Sequence, residues 1–222
     1  MQVHPELPAS IYKGTSEQPM FSAQSLDQHL DSWAQGDADR EIIGLLVSQI
    51  SAAGIQLAQT ITRYGLIERS EIDVAQDDST NTQETLALLA QGIFQSTLRA
   101  LPVSVLASAE CEDLLRIDSR ERFAVVIDPL DGSSNIETNL SIGSIFSILE
   151  SSGDDLCEIA PGTVVKAAGF LFYGPQTRLL LSCGDGCYQF LLDPASERFY
   201  RFGGSLQIPA GKREFAINTS NY

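Results

Sequence analysis

Apolar residues in the first part of the chain recur every three or four positions, which is the period of an amphipathic helix. Residues 25–33 are the first such segment, with Ser25 as its N-cap. Residues 36–39 combine a glycine with two acids, and they predict the end of this helix and the acidic first turn of a longer one. The expected core positions of the two helices are Leu26, Leu30, Trp33, Ile42, Leu46, Ile50, Ala53, Leu57 and Ile61.

The helical period is lost over residues 65–82, where acids and turn-forming residues accumulate. This composition predicts a loop. The period returns over residues 83–101, which predict a third helix. Its expected core stripe consists of Leu86, Leu89, Ile93, Thr97 and Ala100.

The second half of the chain has the short apolar runs of β-strands. Residues 104–113 predict a strand that enters an acidic cluster. Residues 123–127 are all apolar, which predicts a strand buried on both faces. Further strands are predicted at residues 142–149, 164–173, 177–183, 187–192 and 198–202, with weaker candidates at 205–209 and 214–218.

Turn residues separate the later strands at a spacing that favours an antiparallel meander. Cys183 and Cys187 flank one of these turns, Gly-Asp-Gly. The chain has only two histidines, both far upstream, so we interpret this segment as a hairpin turn and not as a zinc site. Helices followed by a mostly antiparallel sheet predict an α+β fold, a layered α/β sandwich.

Composition excludes some classes of function. The 222 residues, 43% hydrophobic and 19% charged, are typical of a globular protein with a sizeable core. A net charge of −15 argues against binding to nucleic acid, which needs a basic surface. There is no run of eighteen apolar residues and no signal-peptide pattern, so we expect no membrane partner and a cytoplasmic protein. Residues 1–24 lack any period and predict an N-terminal arm.

The candidate chemistry lies at the end of the 123–127 strand. Asp128 and Asp131 flank Pro129, whose missing N–H is expected to end the strand ladder and turn the chain. Two carboxylates in one small volume repel each other, and a hard cation such as Mg²⁺ relieves that repulsion. The alternative is an ordinary Asp-Pro turn.

A glycine and two serines follow this acidic pair directly. Gly132 provides flexibility, and the backbone N–H groups of Gly132, Ser133 and Ser134 are candidates for cradling a phosphate. Metal and phosphate would then meet at one turn.

Residues 128–136, Asp-Pro-Leu-Asp-Gly-Ser-Ser-Asn-Ile, resemble the signature of class I fructose-1,6-bisphosphatases. A shorter Asp-Pro-x-Asp-Gly-Ser/Thr motif marks the wider superfamily of Mg²⁺-dependent, Li⁺-sensitive phosphatases, which includes inositol monophosphatase. The Ser-Ser-Asn-Ile extension favours the bisphosphatase branch. Segments that recur downstream in that family, in this order, lie at residues 141–146, 167–170, 173–175, 192–194 and 215–218.

The resemblance implies a sugar-phosphatase fold and hydrolysis of the 1-phosphate of fructose 1,6-bisphosphate, in gluconeogenesis or the Calvin cycle. It implies a homo-oligomer, a homotetramer in this family. It also implies that residues 25–210 form the N-terminal sugar-phosphatase domain and that residues 211–222 begin a truncated C-terminal substrate domain.

The resemblance also assigns site residues. Mg²⁺, or Mn²⁺ in its place, would be held by Glu110, Asp128, Asp131 and the carbonyl of Leu130. Asp131 would also take part in catalysis and substrate binding. The sugar bisphosphate would be gripped at its second phosphate by Asn218 and Asn221.

The chain departs from the family at two positions. Ala87 stands where the family has an early helix Asp, and Glu110-Cys111-Glu112 replaces two adjacent glutamates. A one-residue bulge would bring Glu112 into the second position. Glu112 is our candidate general base, because a thiol seldom activates water. The alternative interpretation of this segment is a solvated acidic turn.

Two other functions stay open. One is a related hydrolase, such as a sedoheptulose-1,7-bisphosphatase or an inositol-phosphate phosphatase. The other is a non-catalytic fragment or paralogue that keeps the fold, which Ala87, Cys111 and the expected truncation favour.

Overall fold

Three helices precede an eight-stranded sheet in the computed structural model, which describes residues 24–71, 78–111, 113–151, 165–207 and 210–211. The helices are α1 (Leu26–Ala34), α2 (Ala38–Glu71) and α3 (Asp78–Leu98). The strands are β1 (Val105–Ser108), β2 (Leu115–Arg116), β3 (Phe123–Asp131), β4 (Ile142–Glu150), β5 (Val165–Tyr173), β6 (Arg178–Ser182), β7 (Cys187–Asp193) and β8 (Arg198–Arg201). This order confirms the α+β fold.

The strands lie in the order β2-β1-β3-β4-β5-β6-β7-β8. β1 and β3 are parallel, and every other neighbouring pair is antiparallel. The expected meander is therefore confirmed from β4 to β8. Its Gly-Asp-Gly segment forms the hairpin between β6 and β7, where Ser182 pairs with Cys187, and both flanking cysteines are free thiols.

The first two helices follow their sequence patterns. Ser25 caps α1 through a capping box, in which its hydroxyl accepts from the Gln28 N–H and the Gln28 side chain accepts from the Ser25 N–H. The central positions of the predicted α2 stripe are buried, and Ile42 and Ile61 at its ends are half-buried. All three helices and one face of the sheet enclose the core.

The predicted face of α3 is confirmed at Leu86, which is fully buried, and is wrong beyond it. Leu89 is 44% exposed, and from there the buried stripe runs one residue later than predicted, through Ala90, Phe94 and Leu98. Ala90 is fully buried, whereas hydrophobicity alone favours Leu89 at a core position. Gln91 follows on the same buried side and is 9% exposed.

The loop predicted at residues 65–82 is also wrong over most of its length. α2 continues to residue 71 and α3 begins at residue 78. Leu66, Glu68 and Arg69 are residue types that favour helices, so the backbone can stay helical where the apolar period of the sequence is lost. Residues 72–77 lie outside the described residues.

The central strand differs from its prediction in two respects. β3 continues through Pro129 to Asp131, so the proline does not end the ladder. Between the pairs Asp128–Ile145 and Asp131–Gly143, two residues of β3 stand opposite one residue of β4, which is a β-bulge that accommodates the missing N–H. The strand is also not buried on both faces, because Val126 is 38% exposed.

The open face of the sheet is apolar near the centre. Ile145 and Phe170, which follow Asp128 along one row of cross-strand partners, are 47% and 38% exposed. Directly opposed residues share a face, so Asp128 lies on the side of the sheet away from the helices.

Among the described residues, one helical segment, Ala38–Tyr64 in α2, is long and apolar enough to cross a membrane. Half of it is buried against the rest of the chain. A core helix has this same composition, and its contacts with α1, α3 and β5 support that interpretation.

Two further predictions concern the ends of the chain. Residues 205–207 do not form a strand, while 208–209 and 214–218 lie outside the described residues. Residues 1–23 of the predicted arm also lie outside them, and the Gln24 carbonyl accepts a hydrogen bond from the Arg201 N–H at 2.8 Å.

Candidate metal and phosphate site

The candidate site lies where β1 ends beside the bulged last part of β3. Because these strands are parallel, their carboxyl ends meet at one edge of the sheet. Ser108 pairs with Ile127, and the Ala109 N–H donates to the Ile127 carbonyl at 3.0 Å. Glu110, in the turn after β1, and Asp128, which follows Ile127 within β3, are therefore brought to the same region.

Asp128 is half-buried and interacts with its neighbours in the turn. Its Oδ1 atom accepts a hydrogen bond from the Leu130 N–H at 3.2 Å. Burial raises the pKa of the Asp128 carboxyl, the Leu130 hydrogen bond opposes this, and the charge of Asp131 raises the pKa further. The two carboxylates thus repel each other, and the donor set fits a hard divalent cation, which would favour both charged forms.

The backbone turns sharply after Asp131. Gly132 has a φ of +76°, a left-handed conformation that suits glycine, and its carbonyl accepts from the Asn135 N–H at 2.8 Å. Residues Ser133–Asn135 form a short 3₁₀ helix, and the Asn135 side-chain amide donates to the Ser141 carbonyl at 2.9 Å. The turn that carries the predicted phosphate contacts is thereby closed back onto the start of β4.

The end of β1 is tied to helix α3 by Gln91. Ser108 Oγ donates to Gln91 Oε1 at 2.6 Å, and Gln91 Nε2 donates to Cys111 Sγ at 3.3 Å. These contacts hold the Cys111 side chain against α3. Together these residues line a cavity of about 320 Å³ between α3 and the β1–β2 connection.

Glu110 lies exposed in the turn after β1, and its N–H is 3.4 Å from Ser108 Oγ. Ala87 is half-buried in α3. Among the described residues, no three His, Cys, Asp or Glu side chains converge on one point. Glu112, Asn218 and Asn221 lie outside the described residues, so the full ligand and substrate sets stay predictions.

Three residues that support this region, Gln91, Ser144 and Tyr173, were not among the predicted site residues. Gln91 is a polar residue on the buried side of a helix, a signal that a correct choice of helix face would have revealed. Ser144 and Tyr173 are buried in β4 and β5, and the Ser144 hydroxyl contacts the Pro129 carbonyl. Both fall in segments that recur in the resembled family, residues 141–146 and 173–175, but only the cross-strand register shows that they lie behind the turn.

Fold and site together define a class of protein: an α+β domain with helices on one face of a mostly antiparallel sheet and an acidic turn followed by Gly-Ser-Ser at the end of a central strand. Residues 25–202 match the family model described as "Fructose-1-6-bisphosphatase, N-terminal domain". The chain belongs to the fructose-1,6-bisphosphatase family.

Relatives of known name agree with this assignment. A class 1 fructose-1,6-bisphosphatase of Nitrobacter hamburgensis is 38% identical over 198 residues, which cover 89% of this chain and 57% of that relative. A class 1 fructose-1,6-bisphosphatase of Rhodopseudomonas palustris is 38% identical over 204 residues, or 91% of this chain and 59% of the relative. The chain thus spans less than two thirds of the length of these relatives.

A solved structure supports the fold. The fructose-1,6-bisphosphatase of Leishmania major in its holo form matches with a TM-score of 0.71 and 27% sequence identity, covering 86% of this chain and 58% of that one. The apo form matches with a TM-score of 0.72.

Proposed function

We propose that this chain provides the metal-binding and phosphate-binding part of a sugar bisphosphatase that hydrolyses the 1-phosphate of fructose 1,6-bisphosphate. The observation that carries the proposal is the Asp128-to-Asn135 motif at the bulged end of β3, within a segment that matches the family's N-terminal domain. Relatives that are named class 1 fructose-1,6-bisphosphatases support the choice of substrate. Because the chain spans only part of their length, the activity is proposed for the whole enzyme.

In this proposal Asp128, Asp131, Glu110 and the Leu130 carbonyl hold Mg²⁺, with Mn²⁺ as the alternative ion. The raised pKa of Asp128 supports the assignment, because a cation offsets both the burial and the repulsion that cause it. When bound, the metal would polarise the phosphoryl group and lower the pKa of the attacking water. Asp128 and Asp131 would fix the position of the metal, because both belong to β3.

The backbone after Asp131 binds the reacting phosphate. We assign the N–H groups of Gly132, Ser133 and Ser134 to this contact, since Gly132 and the short helix hold that segment as one closed turn. Asn218 and Asn221 are assigned to the second phosphate. Glu112 is assigned as the general base that takes a proton from water.

The surroundings of Cys111 favour Glu112 over Cys111 for that role. The Cys111 sulfur accepts a hydrogen bond from Gln91 on α3. This contact holds the thiol on the side of the β1 end that faces the helix. A base must reach the proton that it removes, within hydrogen-bonding distance or through one water.

We further propose that the enzyme is a cytoplasmic homotetramer, on the family's example. The alternative function is a catalytically silent member of the family, which Ala87 and Cys111 favour because each replaces an acid of the family pattern.

The test is Mg²⁺-dependent phosphate release from three substrates: fructose 1,6-bisphosphate, sedoheptulose 1,7-bisphosphate and inositol 1-phosphate. The assay uses this chain joined to the C-terminal part of the Nitrobacter relative that it does not cover. We expect the highest kcat/KM with fructose 1,6-bisphosphate. No release from any of the three, by a folded protein, would favour the silent member, and a preference for another ester would reassign the substrate.

A further inference from the structure

Two buried hydroxyl groups lie behind the acidic turn. Ser144 on β4 is 0% exposed and Tyr173 at the end of β5 is 5% exposed. Ser144 Oγ is 2.7 Å from the Pro129 carbonyl oxygen and 2.8 Å from Tyr173 Oη. These contacts form a chain of hydrogen bonds from β5 through β4 to the middle of the turn between Asp128 and Asp131.

Counting the available protons shows which group donates in each of these hydrogen bonds. The Pro129 carbonyl can only accept, so the single hydroxyl proton of Ser144 is donated to it. Ser144 has no second proton, and Tyr173 must therefore donate to Ser144. Each buried oxygen is satisfied in this one arrangement, and burial raises the pKa of the Tyr173 phenol, so the donor proton stays in place.

These hydrogen bonds reach β3 at its irregular part. A bulge leaves one residue without its partner in the strand ladder. Here the bulge falls between Asp128 and Asp131, and proline has no N–H with which to pair. The Ser144 side chain supplies a hydrogen bond to the Pro129 carbonyl at this point, and leaving a buried carbonyl unsatisfied is unfavourable.

We propose that Ser144 and Tyr173 are positioning residues of the metal site: by fixing the Pro129 peptide, they hold Asp128 and Asp131 in the arrangement that binds the cation. This inference rests on the proposed function, because the proposed function assigns a metal to this turn. Neither residue contacts the reacting atoms, and both act through the turn.

The test compares four variants of the full chain. Ser144→Ala removes both hydrogen bonds, Tyr173→Phe removes only the outer one, and Ser144→Thr keeps the hydroxyl. The matched control is Ser104→Ala. Ser104 is 1% exposed and donates to the Phe123 carbonyl at 3.0 Å, so it anchors the same strand by the same kind of bond at its opposite end.

The first readout does not involve metal. The Leu130 N–H donates to Asp128 Oδ1, so its amide hydrogen exchange, measured by NMR, reports the geometry of the turn. We expect faster exchange at Leu130 in Ser144→Ala, an intermediate rate in Tyr173→Phe, and the wild-type rate in Ser144→Thr and Ser104→Ala. Equal rates in Ser144→Ala and Ser104→Ala would overturn the proposal.

The second readout is Mn²⁺ affinity, measured by EPR of the free ion. We expect Ser144→Ala to bind Mn²⁺ about 10–100-fold more weakly, the range for loss of a residue that orients a ligand. Ser144→Thr should restore the affinity and Ser104→Ala should keep it. An unchanged affinity in Ser144→Ala would contradict the link to the metal.

The two proposals can fail separately. If the wild-type chain bound no Mn²⁺, the proposed function would lose its metal site, while the Leu130 exchange rates would still decide whether Ser144 and Tyr173 fix the turn. If Ser144→Ala did not fold, the Leu130 exchange rate and the Mn²⁺ affinity of Tyr173→Phe would test the proposal instead. That variant keeps the aromatic ring and the hydrogen bond from Ser144 to Pro129.

Discussion

The surroundings of the Asp128 carboxyl both disfavour and favour its charged form. Its place on β3 withdraws it partly from water and puts Asp131 nearby, and both effects disfavour its charge. The Leu130 N–H opposes them by a single hydrogen bond. A partly buried carboxyl whose charge is disfavoured, next to a second carboxylate, is a candidate for a functional site.

Replacing Asp131 by asparagine tests this pair. The substitution keeps the size of the side chain and removes its charge, so we expect Asp131→Asn to lose more Mg²⁺ affinity than the about 10–100-fold that follows loss of an outer partner. Without the neighbouring charge, the pKa of Asp128 should fall, which NMR titration of its carboxyl can follow. Asp31→Asn, at an exposed position in α1, is the control. An unchanged Mg²⁺ affinity would exclude Asp131 as a ligand.

A second prediction concerns His29, which is 6% exposed and packs edge-on against Tyr188 and Phe190, with ring centroids 5.0 and 5.3 Å away. Burial lowers its pKa from the ordinary 6.5, Arg201 lowers it further, and Asp185 opposes. Below pH 6.5 the unfolded chain therefore binds a proton that the folded chain resists, so stability falls as the pH drops from neutrality through that value.

The measurement is the free energy of unfolding by urea at several pH values between about 5.5 and 7, around the ordinary histidine pKa. His29→Gln should show a shallower dependence on pH than the wild type, even if it is less stable throughout. His4 is the only other histidine, and it stays in both proteins. Identical pH slopes would show that His29 is not held neutral by the fold.

At the scale of elements, helix α2 carries the packing that supports the sheet. Gly54 faces β5, and a Cβ atom there would collide with the side chain of Leu171, which is fully buried. The helix can approach the sheet closely only because this position lacks a side chain. In α3, Gly92 is exposed and a Cβ there would meet no atom within 4 Å.

These two glycines give a matched pair of substitutions. Gly54→Ala should destabilise the protein by about 1–3 kcal/mol through overpacking, despite the better helix propensity of alanine. Gly92→Ala should stabilise it by about 0.5–1 kcal/mol, because alanine loses less backbone entropy. Chemical denaturation measures both. The same sign for both variants would contradict the close approach of α2 to β5.

At the scale of the molecule, the chain covers 57% of the Nitrobacter relative, and the family match is to an N-terminal domain. We predict that the 222 residues alone have at least about a hundredfold lower kcat/KM for fructose 1,6-bisphosphate than the chimera with the relative's C-terminal part. Binding energy from a remote phosphate positions the reacting one, and misplacement of the reacting group is costly.

Steady-state kinetics of the two proteins check this prediction. The chimera carrying Asp131→Asn is the control, since its loss of activity would show that this chain supplies the working site. Equal kcat/KM for the 222 residues and the chimera would mean that the C-terminal part adds nothing to the reaction.

Much of the fold was predictable from local signals. The capped start of α1, the core stripe of α2 and the strands of the meander each depend on residues close in sequence, whose period or turn chemistry is sufficient. The face of α3 was not predictable, because Leu89 and Ala90 both fit a helical stripe and only the sheet decides which side it accepts. The bulge at Pro129 was missed because it is a property of the pairing with β4.

The α+β order of elements could be predicted because each helix and strand has a local pattern, and the Asp128–Asp131 pair and the resemblance to a phosphatase family could be predicted because the motif is one short run of chain. The contact of Gln91 with Cys111, and the support of the Pro129 carbonyl by Ser144 and Tyr173, depend on the packing of distant parts of the chain. These contacts join residues 15 to 29 positions apart. Hydrogen bonds of this kind depend on which strands and helices lie side by side, and that choice is made by burial of the whole core and not by the local pattern around each residue.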